Sequence, residues 1–166
     1  MVTAELPFVG RHLELASLRE TCAETGAVVV VGAPGLGKSR LIAELASDPS
    51  LTCLSAVGAP ELQTSPYAVF RALALQWARI LDPASLGWSD NQLQNLGPLF
   101  PALQPSNPAD DHNAEERRQG LWLSLLRYLD ALVASHPKPV AIVVEDLHAV
   151  DSSSLSLFGW LASQPL

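Results

Sequence analysis

Eight consecutive residues, Gly32-Ala33-Pro34-Gly35-Leu36-Gly37-Lys38-Ser39, fit the spacing G-x-x-x-x-G-K-[ST]. Gly32, Gly35 and Gly37 let a backbone turn sharply, adopt positive φ and aim successive N–H groups at one anion. Lys38 adds a compact charge for the outer phosphates of a polyphosphate. The Ser39 hydroxyl is a hard oxygen donor suited to Mg2+. A second chemical group comes late in the chain, where the apolar run Val140–Val144 ends in Glu145-Asp146. In phosphoryl chemistry one such carboxylate holds Mg2+ through water, and another orients the attacking water. His148 and Asp151 follow closely. Both read most simply as structural residues, with Asp151 the N-cap of the helix that begins in Asp-Ser-Ser-Ser-Leu. His12, His112 and His136 show no metal-ligand spacing.

A phosphate loop works only where a strand runs into it and a helix leaves it, so that the helix N-terminus points at the same anion. Both elements are legible. Ala27–Gly32 (AVVVVG) is an unbroken β-branched run, which predicts a strand buried on both faces of a parallel sheet. After the loop, Leu41, Ile42 and Leu45 give a helical face, ended by Asp48-Pro49. Before the strand, Leu13, Leu15, Leu18 and Cys22 mark a helix over 11–25. Leu51–Val57 predicts a second strand, and the pattern from Pro66 to Leu81 predicts a helix. Residues 82–112 carry five prolines and read as an irregular insertion over the surface. A long helix follows, capped by Asn113 with Glu116 in capping-box position and stopped by His136-Pro137. Val140–Asp146 is the third predicted strand and Ser152–Ala162 the last helix. This alternation predicts an α/β fold with a parallel sheet.

Composition narrows the classes. The chain has 166 residues, of which 48% are hydrophobic and 16% charged, enough apolar material for one core. Its formal net charge of −7 argues against nucleic-acid contact through bulk electrostatics. Cys22 and Cys53 make neither a disulfide framework nor a metal site and read as small buried thiols. No basic stretch followed by an apolar one opens the chain, and no apolar run is long enough to span a bilayer. These features read as a cytoplasmic protein that makes no membrane contact. The excess of Arg over Lys and the abundant Ala fit a bacterial genome rich in G and C.

In order and spacing, the motifs resemble the AAA-like P-loop ATPase module of STAND type, akin to Orc1-like AAA ATPases. That module occurs in large LuxR-type transcriptional regulators and beside some adenylyl cyclase domains. The resemblance runs almost end to end. Phe8-Val9-Gly10-Arg11-His12-Leu13-Glu14-Leu15 is similar to the family's opening motif. The phosphate loop with Ser39-Arg40-Leu41, Ser65-Pro66-Tyr67, Pro98-Leu99-Phe100-Pro101, and Glu145-Asp146-Leu147-His148 with Asp151 and Leu155 follow in the family's order. One departure is Ala149-Val150, where Trp-Ala is usual.

The resemblance implies a three-layer sandwich with a parallel sheet ordered 5-1-4-3-2, of which only three strands are legible here. It therefore implies that residues 1–166 are the N-terminal portion of one such domain, incomplete at the C-terminus. By position it puts Val9 and Gly10 near the adenine. Gly32, Ala33, Pro34, Gly35, Leu36, Gly37, Lys38, Ser39 and Arg40 would lie around the phosphates, with Ser39 and Glu145 on Mg2+. Lys38, Glu145 and Asp146 become the catalytic set, Asp146 being the water-orienting residue. The implied function is an ATP-binding, slowly hydrolysing switch that exchanges ATP and ADP and leaves room for self-association. Two alternatives remain: a small-molecule kinase using the same loop, which the absence of Lys and Arg from 82–112 disfavours, and a non-catalytic truncated remnant acting only in protein interaction.

Overall fold

A computed structural model describes residues 10–23, 27–104 and 114–164, with the side chains of residues 22 and 23 left aside. Six of its helices are α-helices: α1 (His12–Ala23), α2 (Lys38–Ala46), α3 (Ala68–Ile80), α4 (Asp90–Asn95), α5 (Ala114–Ser135) and α6 (Ser152–Leu161). Two strands, β1 (Thr52–Val57) and β2 (Val140–Glu145), pair in parallel, Thr52 opposite Val140 and Val57 opposite Glu145. Short 3-10 turns occupy Pro60–Leu62, Pro83–Leu86, Pro101–Leu103 and Leu147–Ala149. The fold is thus mixed α/β with a parallel pair, as expected. Asn113, the expected cap of α5, lies outside the described residues.

The main core lies between β1 and helices α3, α5 and α6. Apolar residues on α3 recur at helical spacing, and Phe70, Leu73 and Trp77 are wholly buried. Leu121, Leu125, Tyr128 and Leu132 do the same on α5, and Leu157 on α6. Aromatic rings tie these helices together: Phe70 stands edge-on to Trp77 at 6.1 Å and lies 4.4 Å from Phe158, while Phe100 meets Tyr128 edge-on at 5.3 Å. In β1, Leu54 and Ala56 face this core and Ser55 and Val57 face away, the alternation of a strand covered on one side. The outward edge of β1 is closed by a side chain: Gln76 accepts from the Ser55 N–H at 3.2 Å and donates to the Ser55 carbonyl at 2.7 Å. That amide does the work of one residue of a neighbouring strand.

Three expectations need correction. The insertion does more than drape over the surface, because Leu96, Leu99 and Phe100 are buried in the main core. It is organised by α4, whose Ser89–Gln92 capping box is complete. Gly120 lets α4 lie close to α5, since a Cβ there would come within 2.9 Å of the Asn95 side chain. Cys53 is half-buried rather than buried.

The third correction is larger. Ala27–Gly32 is not a strand. Val29 and Val31 are 65% and 87% exposed, and only Val30 packs, against a small second cluster of Leu15, Leu18, Leu41 and Leu45. The physical reason is pairing. A run of valines is buried on both faces only when strands flank it and helices cover it. Among the described residues β1 and β2 pair with each other, and no strand flanks residues 27–32.

Candidate functional site

The glycine loop takes the shape its sequence demands. Gly35 and Gly37 have φ of 81° and 74°, in the left-handed region where a Cβ is strained. Gly37 is the N-cap of α2, and its carbonyl accepts the Leu41 N–H at 3.0 Å, the first bond of the helix. Pro34 and Gly35 form the turn, and the Leu36 N–H reaches the Ala33 carbonyl at 3.4 Å. Lys38 bends back across the loop, its Nζ donating to the carbonyls of Gly32 at 2.8 Å and Ala33 at 3.0 Å. An ammonium group is thereby fixed at the mouth of the loop, at the N-terminus of α2. Ser39 and Arg40 are exposed in the first turn of α2.

Helix α1 forms the opposite wall, packing Leu15 and Leu18 on Leu41 and Leu45. A second tie, Arg19 to Asp48 at 2.9 Å, joins α1 to the end of α2. The Asp48 carboxyl lies below the ordinary carboxylate range, first through the Ser50 hydroxyl and amide and then through Arg19. Between α1 and the loop opens a cleft of about 360 Å³, lined among others by Arg11, Glu14, Gly32, Leu36 and Lys38. Gly10, with φ 89°, immediately precedes Arg11. Val9 lies outside the described residues.

The acidic pair is built differently. Glu145 ends β2, half-buried, and its carbonyl accepts the Gly58 N–H at 2.9 Å. Asp146 adopts the left-handed conformation, φ 52° and ψ 50°, and starts a tight turn in which the Ala149 N–H meets its carbonyl at 2.8 Å. Positive φ at a non-glycine residue costs on the order of 1–3 kcal/mol and persists where surrounding contacts enforce it. Those contacts are visible. A Cβ on Gly58 would lie 2.3 Å from the Asp146 carbonyl oxygen and 3.0 Å from Ala149, so only glycine lets the turn sit against the end of β1. Gln63 Nε2 donates to the His148 carbonyl at 2.9 Å. His148 is largely exposed, its Nδ1 4.0 Å from Asp146 Oδ1.

Asp151 anchors the far side of the turn. Nearly fully buried, it caps α6 through the Ser154 N–H at 2.9 Å and hydroxyl at 2.7 Å. The same carboxylate accepts the Tyr67 and Ala68 N–H groups at 2.9 and 3.0 Å, capping α3 as well. Burial pushes its carboxyl up, but the hydroxyl and three amides outweigh that and hold it below the ordinary range. The sequence reading identified Asp151 as a cap of α6 and missed its second helix, together with Gly58 and Gln63. Gly58 had a signal, being the glycine that closes a predicted strand. Gln63 had none.

The loop residues, Lys38 and Ser39 form one contiguous surface, with Arg11 joined to it by α1. Among the described residues, Glu145 and Asp146 do not line the cleft beside the loop. The loop sits with the α1–α2 cluster, whereas the acids end a strand of the main core.

The family model of the AAA ATPase domain matches residues 7–165. The chain belongs to this family. The match embraces the opening motif from residue 7, the glycine loop, both strands and the acidic turn, and it supports nucleotide binding by a P-loop ATPase module. ATP with Mg2+ is the ligand pair typical of such domains. The donors present suit it: loop amides and an ammonium group for phosphate, and a serine hydroxyl for a hard cation. No match was found among curated proteins or solved structures. No helix among the described residues is long and apolar enough to cross a membrane.

Proposed function

We propose that the chain is an ATP-binding, slowly hydrolysing switch module of STAND type, part of a signalling or transcriptional regulator. The observation that carries this reading is the loop itself, with two left-handed glycines, a helix N-terminus behind them and Lys38 held across the opening. In this reading the loop from Gly32 to Arg40 holds the phosphates, Val9 and Gly10 border the adenine, and Ser39 and Glu145 serve Mg2+. Lys38 neutralises charge on the transferred phosphoryl group, and Asp146 orients water. Exchange of ADP for ATP then biases a two-state arrangement of partner domains.

A non-catalytic binding module is the second reading. It is favoured by the acidic pair lying outside the cleft that the loop lines. Calorimetric titration with Mg-ATP, paired with phosphate release measured without any acceptor, separates the two. Lys38→Ala should weaken Mg-ATP at least about tenfold, the loss expected when a charge-assisted bond to phosphate is removed. Equal binding by wild type and Lys38→Ala would refute a phosphate site. Binding without phosphate release would favour the second reading.

A further inference from the structure

The acidic turn is fastened at its start, its middle and its end. At the start the Glu145 carbonyl accepts the Gly58 N–H, and at the end Asp151 binds the first turns of α3 and α6. Within the turn, the Ala149 and Val150 N–H groups donate to the carbonyls of Asp146 and Leu147. The carbonyl between them, that of His148, accepts from the exposed side chain of Gln63 at 2.9 Å. Gln63 comes from a segment that is itself braced. Its own N–H donates to the Pro60 carbonyl at 3.3 Å, and the Ser65 N–H donates to the Leu62 carbonyl at 2.9 Å. Arg71 donates to the Ser65 hydroxyl at 2.6 Å and to the Pro66 carbonyl. The amide of Gln63 is therefore presented from a fixed base.

From this juxtaposition we propose that Gln63 is a positioning residue for water activation: by holding the middle of the turn it keeps Asp146 in its left-handed conformation and its carboxylate in one place. The proposal rests on the reading of Asp146 as the water-orienting residue and adds to it a side chain that acts through the turn. A left-handed backbone is disfavoured at aspartate, so the turn keeps it only while its ties hold. Gly58 and Asp151 are bound up with the packing of the core, whereas the Gln63 tie lies on the surface and can be cut with the core intact. Cutting it lowers the fraction of molecules in which Asp146 is in place, and turnover falls with that fraction. The grip on nucleotide does not change. Neither Gln63 nor the turn lines the cleft beside the loop, and Glu145 stays in register opposite Val57.

The test sets phosphate release at saturating Mg-ATP against the dissociation constant for Mg-ATP. The proteins are wild type, Gln63→Met, Gln63→Glu, Thr64→Ala, Asp146→Asn, and Asp146→Asn combined with Gln63→Met. Methionine and glutamate match glutamine in length, and neither donates a hydrogen bond at neutral pH. Both Gln63 variants should lower kcat about fivefold, the factor of one lost neutral hydrogen bond, and leave the dissociation constant as it was. Amide exchange at 147–150 should quicken in both, with the urea midpoint near that of wild type. Thr64→Ala, at the exposed neighbouring residue, should match wild type throughout. The double variant should be no slower than Asp146→Asn, because both changes act on one group. Unchanged kcat or unchanged exchange in Gln63→Met would overturn the proposal. So would an equal loss in Thr64→Ala, a further loss of that size in the double variant, or Gln63 variants that weaken Mg-ATP as much as they slow release. Should Asp146→Asn be slow while Gln63→Met keeps the wild-type rate, the reading of Asp146 stands and only the role of Gln63 fails. Wild type that releases no phosphate, or Asp146→Asn as fast as wild type, would remove both.

Discussion

Replacing Asp151 with alanine removes an acceptor shared by two helices. Oδ1 takes the Tyr67 and Ser154 N–H groups, and Oδ2 takes the Ala68 N–H and the Ser154 hydroxyl. Alanine would leave three backbone donors unpaired at a site only 3% exposed. A lost N-cap costs about 1–2 kcal/mol, and two caps lost together, counted as partly overlapping, come to about 3 kcal/mol. With a urea slope of about 2 kcal/mol per molar, the unfolding midpoint should fall by about 1.5 M. Trp77 sits in this core and Trp122 and Trp160 pack against it, so tryptophan fluorescence reports the transition. Asparagine keeps one oxygen and sets an NH2 against the donors of the other, so its loss should be about half that of alanine. The pH dependence has a fixed sign. Folding lowers the Asp151 carboxyl, so the stability it contributes is fully present above the ordinary carboxylate value of about 4 and is lost as pH falls through the lower folded value. The gap between wild type and Asp151→Ala should therefore narrow below about pH 4. A midpoint shift near zero at neutral pH, or an asparagine variant as stable as wild type, would refute the double-cap account.

Other perturbations follow from single contacts. Gly58→Ala would drive a methyl group into the Asp146 carbonyl and the Ala149 backbone, and should cost about 1–3 kcal/mol in urea unfolding. Faster amide exchange at 147–150 should accompany it, and normal exchange there would contradict the close fit. Gln76→Leu uncovers the Ser55 N–H and C=O on the edge of β1. Light scattering should then rise with protein concentration as open edges pair, and a variant that stays monomeric would show that Gln76 does not guard the edge.

What could be read in advance was whatever rests on local chemistry. The loop was legible because Gly35, Gly37 and Lys38 answer a demand that neighbouring residues alone create. The helices α3, α5 and α6 were legible because their apolar positions repeat at helical spacing whatever they pack against. Failures came where a segment's state depends on a distant partner. Residues 27–32 have every local preference of a buried strand, yet ladder bonds need neighbours that no local preference supplies. Leu96, Leu99 and Phe100 sit among prolines that suggest a surface path, and the Ser89–Gln92 box that organises the short helix before them emerges in the structure. The double role of Asp151 joins residues more than eighty positions apart. Spacing along the chain carries no trace of it.

Binding and hydrolysis place unequal demands on this architecture. Gripping a polyphosphate needs the loop, Lys38 and the wall supplied by α1, which one small cluster already unites. Activating water needs a carboxylate within hydrogen-bond reach of the outermost phosphate. The carboxylates stand on a turn whose posture is fixed by Gly58, Gln63 and Asp151, all contacts of the main core. The loop and the acidic turn thus belong to two packing units, joined along the chain by the connection from α2 to β1. In the proposed switch, affinity would be set on one unit, while turnover would require the loop and the acidic turn to come together.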